Sequence, residues 1–417
     1  SNCVVLGSFS ANLNQGIECT AVGYKAGQLS QGAYAIALGS ESGSTSQGTQ
    51  AIGIGYQAGK TNQGDQAIAM GFQTGRDNQE TQSLAIGNFA GFEGQNTLSF
   101  AIGVAAASNA QSTRALAIGI QAGQINQGEN ALAIGNEAGK NNQQSNCLAI
   151  GINSGQYSQN AFSAAIGVQA GQNYQGAFSD AYGYQAGRDY QGDRSIAIGN
   201  QAGEFSQNAQ CTTIGYLAGQ NYQDVDSMAI GGQAGQESQG AKSLAIGNFA
   251  GFEGQNTLSF AIGNEAGANA QATQSLAIGY QAAQVAQKNL SISIGYLAGK
   301  TNQGTKCVAI GPEAGENIQG TDDGGSAFGE SVAIGYKAGK SNQSYRSVAI
   351  GPFAGQTTQG NECTAIGVSA GTTDQGASDG KSVAVGYLAG NNAQLNKCCA
   401  IGVGAGQYSQ GNGGDGG

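Results

Sequence analysis

The chain has 417 residues, a formal charge of −10, 73 glycines, two prolines, and neither tryptophan nor histidine. An acidic balance without Lys/Arg stripes excludes wrapping of nucleic acid, which depends on displacing counterions, and disfavours an anionic membrane surface. No segment approaches 18 consecutive apolar residues, so no membrane insertion is expected.

Low charge with abundant Gly, Ser, Asn and Gln would suit disorder, but disordered chains lack a regular apolar pattern. Here one runs from end to end. Ser1 opens the chain with neither an initiator Met nor a charged-then-apolar leader, as expected of a processed product or an excised fragment. From there the glycine of an A-I-G motif recurs at Gly7, Gly23, Gly39 and Gly55, and so on to Gly311, every step being 16 residues. It resumes at Gly335, Gly351, Gly367, Gly386 and Gly402, making 20 uninterrupted units and five more. The two irregular steps carry insertions near 321–330 and 377–381, at the same place in the repeat, and read as loops budding from one turn.

Within each unit the consensus is S-L-A-I-G-Y-Q-A-G-Q-x-N-Q-G-x-x. A small residue is followed by a bulky one (Leu84, Ile196, Val348), then usually Ala, then Ile, then the central Gly. Alternation of small and bulky with period two predicts a strand with two different faces. A helix is made improbable by two or more Gly in nearly every unit and by the lack of a 3.6-residue apolar stripe. The paired glycines are expected at turns, where positive φ is sterically free. The fold class expected is therefore all-β, a parallel β-solenoid (β-roll) of about 25 coils with two short strands each. It would run as one continuous solenoid over 1–410 and end in a flexible Gly-rich tail at 411–417. At a coil spacing of about 4.8 Å, the stack would be roughly 120 Å long.

Eight residues after the central Gly stands Gln in every unit, from Gln15 to Gln410, while neighbouring slots vary. Gln15, Gln31, Gln47, Gln63, Gln127, Gln191, Gln239, Gln303 and Gln359 are read as rungs of a buried ladder, each amide donating to the next carbonyl. A solvated turn row and a carbohydrate-binding row are the alternatives. Two arrangements of the strand also stay open. Either Leu and Ile point inward, or the small residues fill a narrow coil and Leu/Ile form an external apolar stripe that another chain would cover. The second half of each coil offers no bulky apolar residue to face Leu and Ile, which favours the narrow coil and self-association into an oligomer or filament.

The slot after the central Gly often holds Tyr (Tyr24, Tyr56, Tyr184, Tyr280), a row able to stack on glycan or simply a half-exposed strand end. Cys3, Cys19, Cys147, Cys211, Cys307, Cys363 and Cys398 share the small slot, with Cys399 beside the last. They read as small fillers. Cys3 and Cys19, in adjacent coils, are the candidate disulfide; the others lie at least ~9.6 Å apart by strand spacing, beyond reach. With no His and no C-x-x-C, no zinc site is expected, and Asp322–Asp323 in the first insertion offers calcium ligation or a solvated loop. No nucleophile–base–acid set is present, so neither an enzyme nor a cofactor is expected.

The S-V-A-I-G of Ser331–Gly335 and Ser347–Gly351, and the S-V-A-V-G of Ser382–Gly386, resemble the head repeat of trimeric autotransporter adhesins and similar AIG repeats in viral and phage surface fibres. That resemblance implies a left-handed parallel β-roll, three chains packed along the apolar side, and adhesion to a cell-surface receptor or glycan. It departs from the adhesins in its longer unit, its missing Asn and its added Gln. The S-L-A-I-G-Y of Ser275–Tyr280 is also similar to the 16-residue repeat of bacterial ice-nucleation proteins, without their Thr-x-Thr row. The function expected is a structural, rod-forming module of an extracellular or virion-surface filament, with ice or glycan binding as the alternative.

Overall fold

The structure, a computed structural model, describes residues 2–320, 329–376 and 380–408. Among them every named element is a three-residue β-strand, and no helix is long and apolar enough to cross a membrane. The chain is an all-β parallel solenoid with a spacing of 16 residues per coil. Two compact units, Ser1–Gln210 and Cys211–Gly417, use the same coil. The first holds 13 copies of the leading strand, Val4–Leu6 to Ile196–Ile198, and the second holds 12, Thr212–Ile214 to Cys399–Ile401.

Pairing is in register throughout each unit. Leu116, Ala117 and Ile118 pair with Leu132, Ala133 and Ile134 in the leading strands, and Gln111 pairs with Gln127 in the second strands. Every slot of the repeat therefore stacks on itself, and a sequence position becomes a row. Turns stack as well: Gln57 N donates to Ser40 O and Gln66 N to Thr49 O, each at 2.9 Å. Backbone groups that a turn would otherwise leave to water are thereby paired along the stack.

Of the two strand arrangements, the structure adopts the narrow coil. Ala85, Ala101, Ala117 and Ala133 of the leading strands are fully buried, as are Ala90, Ala106 and Ala122 of the following turn. Ile86 and its row-mates point outward. The reason is one of depth: the two strands of a coil are bridged by a single Gln side chain, which leaves room for a methyl group but not for Leu. The largest fully buried side chains are accordingly glutamines.

The turns differ from the expectation built on paired glycines. In one coil Gln57, Gly59, Asn62 and Gln66 all lie in the left-handed region, with φ of 54°, 58°, 53° and 58°. Each non-glycine residue there costs roughly 1–2 kcal/mol, a strain the axial turn bonds offset. The central glycine is required by contact as well as by φ. At Gly151, with φ 129°, a Cβ would stand 2.4 Å from the carbonyl oxygen of Gly167 in the next coil.

Of the expected insertions, 321–328 and 377–379 lie outside the described residues, as do Asp322–Asp323 and the tail at 411–417. Around both, the coil closes without loss of register: Val308 pairs with Val332, and Thr364 with Val383.

Candidate functional site

A solenoid of stacked rows offers lines of like side chains rather than a cleft. The inner line is the glutamine row. Gln127 Nε2 donates to Leu116 O at 2.9 Å, Ala131 O at 3.3 Å and Gln143 Oε1 at 3.2 Å, while its own Oε1 accepts from Gln111 at 3.0 Å. Each amide thus ties the second strand to the first across the coil and joins the coil above. Gln47 and Gln63 donate in the same way, bonded to each other at 3.1 Å, though Gln47 Oε1 has no partner. Gln191 accepts from Gln175 at 3.2 Å, and Gln239 donates to Gln255 at 3.2 Å. Gln303 bonds Gln319 at 3.0 Å, and Gln359 bonds Gln375 at 3.1 Å. The row crosses both insertions, Gln319 to Gln343 at 3.1 Å and Gln375 to Gln394 at 3.2 Å.

Gln15 and Gln31 depart from the expected ladder. The amide of Gln15 turns to Gly27 O at 3.1 Å and that of Gln31 to Thr20 O at 3.0 Å, and neither Oε1 has a partner. Gln31 keeps the carbonyl bonds of the other rungs, adding Ala35 O at 3.2 Å, and as a donor lacks only the amide-to-amide bond to Gln47. Solvated and carbohydrate-facing positions do not describe the remaining rungs, whose side chains are enclosed.

The cysteine row lies beside it. Cys3 and Cys19, the candidate disulfide, are both free thiols. Cys3 Sγ donates to Gly16 O at 3.3 Å and Cys19 Sγ to Gly32 O at 2.9 Å. In a parallel register both side chains project in the same direction, each toward a carbonyl of the adjacent turn, rather than toward each other. Burial pushes the thiols of Cys147, Cys211 and Cys363 up and that of Cys307 to about 11, so none is an activated nucleophile. Among the described residues no cluster of three or more Cys, Asp or Glu could hold a metal ion.

The outer face of the leading strands carries two apolar rows, Leu84–Leu116–Leu132 and Ile118–Ile134–Ile150, flanked by a third at the slot after the central Gly. That third row is exposed and in places aromatic: Tyr56 stacks on Phe72 at 5.3 Å, and Tyr280 on Tyr296 at 5.5 Å. Thr20, Thr212 and Thr364 interrupt the first of these rows, and one coil breaks the pattern more fully, with Asp180 and Tyr182 in the two apolar slots. Burial raises the carboxyl pKa of Asp180, which the hydrogen-bonded Tyr182 hydroxyl partly counters.

Two features escaped the sequence reading. Gln57, which accepts from Gln73 at 2.7 Å and donates to Glu41 at 2.9 Å, belongs to a second, outer amide row. That row meets a line of ion pairs, Lys60–Glu41 at 2.6 Å and Arg188–Glu204 at 2.8 Å. Lys60 and Gln57 hold the Glu41 carboxyl below its ordinary range. The recurrence of Gln/Glu and Lys/Arg at fixed slots was the available signal. On the second-strand side of the first unit runs a shallow polar groove of 640 Å³, lined by Asn126, Asn142, Gln144 and Asn160 among others. A second stretch of groove is lined by Tyr174 and Tyr190, whose rings stack at 5.0 Å.

No model of a known protein family matches the chain, and no curated protein aligns significantly with it.

Proposed function

We propose that the chain is a structural, rod-forming module of an extracellular or virion-surface filament that works by self-association. The observation that carries this reading is the apolar face of each unit: two outward rows, mostly Leu, Ile and Val, interrupted at only a few coils such as those of Thr20, Asp180, Thr212 and Thr364. Scattered apolar residues are ordinary on a surface, but a contiguous strip of this extent marks an association site. The repeat supplies stiffness through stacked hydrogen bonds. Sedimentation velocity over a range of concentrations tests it, with association expected at micromolar chain. A monomer persisting at the highest concentrations would sink the reading, and antibody labelling of intact cells or particles tests the location.

The polar groove with its stacked Tyr174–Tyr190 pair favours a second reading, adhesion to a neutral glycan, since amides and aromatic rings are the groups that recognise sugars. Glycan-array binding that is lost in Tyr174→Ala would support it. Ice binding has no comparable support, and thermal hysteresis of the isolated chain measures it directly.

A further inference from the structure

A strip that repeats every coil can pair in many equivalent registers, each shifted by about 4.8 Å. The residues that break the repeat decide which one is used. In the first unit the outer slot of the leading strand is hydrophobic in every coil except two, where it holds Thr20 and Asp180. The single aromatic in that row, Phe100, is 39% exposed and stands on the middle coil of the 13. Thr20 lies 80 residues before Phe100 and Asp180 lies 80 residues after it. The two polar breaks are therefore five coils to either side of the centre.

We infer that the apolar face of the unit Ser1–Gln210 is an isologous interface with a second copy of this chain, turned end for end, in the one register that sets Phe100 against Phe100 and Asp180 against Thr20 of the partner copy. The inference rests on the self-association proposed above and specifies its geometry. A two-fold axis lying parallel to the strands sets each row against itself and reverses coil order. In full overlap of the 13 coils, Phe100 falls on the axis and Thr20 meets Asp180 twice, as an isologous contact requires. Size also matches, because the row neighbours of that pair are Val22 and Tyr182, a small residue against the one enlarged position in its row.

The area is appropriate. The strip is about 58 Å long and about 13 Å wide by strand geometry, a footprint of about 760 Å² against the ~800 Å² per partner of a standard stable interface. A partner that matches this pitch along that length must itself be a stack of strands, as a second copy of this chain is. In the sealed strip the Thr20 hydroxyl donates to the Asp180 carboxylate, which Tyr182 already meets from its own chain. A register shifted by one coil places Asp180 against Val4 or Ile36, a charge desolvated without a partner. The other two-fold, parallel to the stack, sets the Leu/Ile row against a row that carries Asn88 and Asn136, leaving amides opposite Leu84 and Leu132.

Single cysteines in the full chain, on a Cys399→Ser background, with a short bis-maleimide crosslinker test the geometry. Phe100→Cys alone is expected to give a covalent dimer. Ile52→Cys and Leu148→Cys, placed symmetrically about Phe100, are expected to crosslink when mixed and not separately. Self-crosslinking of Ile52→Cys, or no dimer from Phe100→Cys despite association by sedimentation, overturns the register while leaving self-association standing. A monomer by sedimentation removes both. Asp180→Leu separates register from affinity: association persists, and the Phe100→Cys crosslinked fraction falls at least threefold as other registers open. An unchanged fraction removes Asp180 from any role in register.

Discussion

Replacing Gln127 by Glu tests the inner amide row without changing its shape. The Gln127 side chain is buried, and its Nε2 faces three acceptors, Leu116 O at 2.9 Å, Ala131 O at 3.3 Å and Gln143 Oε1 at 3.2 Å. An ionised Glu keeps the acceptor that Gln111 needs but turns an oxygen toward all three. Losing the donor leaves two or three buried acceptors short of a partner, at roughly 1–3 kcal/mol each where no other donor reaches them, and adds the cost of a desolvated charge. We expect Gln127→Glu to destabilise the surrounding coils by about 3–6 kcal/mol at pH 7. The acid form restores one donor, so the variant's carboxyl has a raised pKa in the fold. With a folded pKa above the unfolded one near ~4.3, the stabilising proton is fully bound below that unfolded value. Its contribution is lost as pH rises through the folded value. Recovery on acidification is the expected signature. Because repeat stacks open locally, the assay is amide hydrogen exchange resolved over residues 111–143 at pH 4 and pH 7, with urea unfolding alongside. A variant as protected as the parent at pH 7 would refute the ladder as a structural element.

Gly151→Ala places a Cβ 2.4 Å from Gly167 O at φ 129°. A loss of about 2–5 kcal/mol is expected in thermal or urea unfolding, whereas Gly254→Ala, at φ 68° but with nothing within 4 Å of its Cβ, should cost only the backbone strain of roughly 1–2 kcal/mol. Ile134→Lys, on the outer apolar face, should leave the melting temperature within a few degrees and weaken association at least tenfold by sedimentation. Cys307, held near 11 by burial, should resist alkylation at pH 8 while exposed Cys399 reacts. Its raised pKa contributes stability that is complete below the unfolded thiol value and is lost as pH rises from about 9 to about 11, so unfolding and Cys307 alkylation should advance together there.

Much of the coil was legible from the sequence because the repeat is the fold's own unit. The 16-residue step fixed the coil length, and small–bulky alternation at Ser83–Gly87 fixed the leading strand. The invariance of the Gln slot marked a position where a side chain must meet its own copy. Gln15 and Gln31 were read as rungs because an invariant slot does not say how the amides of neighbouring coils are turned toward each other. Cys3 and Cys19 are one coil apart, as a disulfide would need, yet the direction of their side chains in a parallel register is a property of the stack. The left-handed residues Gln57 and Gln66 in the turns and Asn62 in the second strand were invisible for a similar reason, since their strain is offset by bonds to neighbouring coils.

The sequence by itself therefore determined period, strand and rows, all of which are local alternations repeated along the chain. Which face is inside was decided only by tertiary structure, because both faces of S-L-A-I-G alternate equally well. The Gln bridge sets the distance between the two strands, that distance admits Ala and excludes Leu, and the apolar rows are left outside.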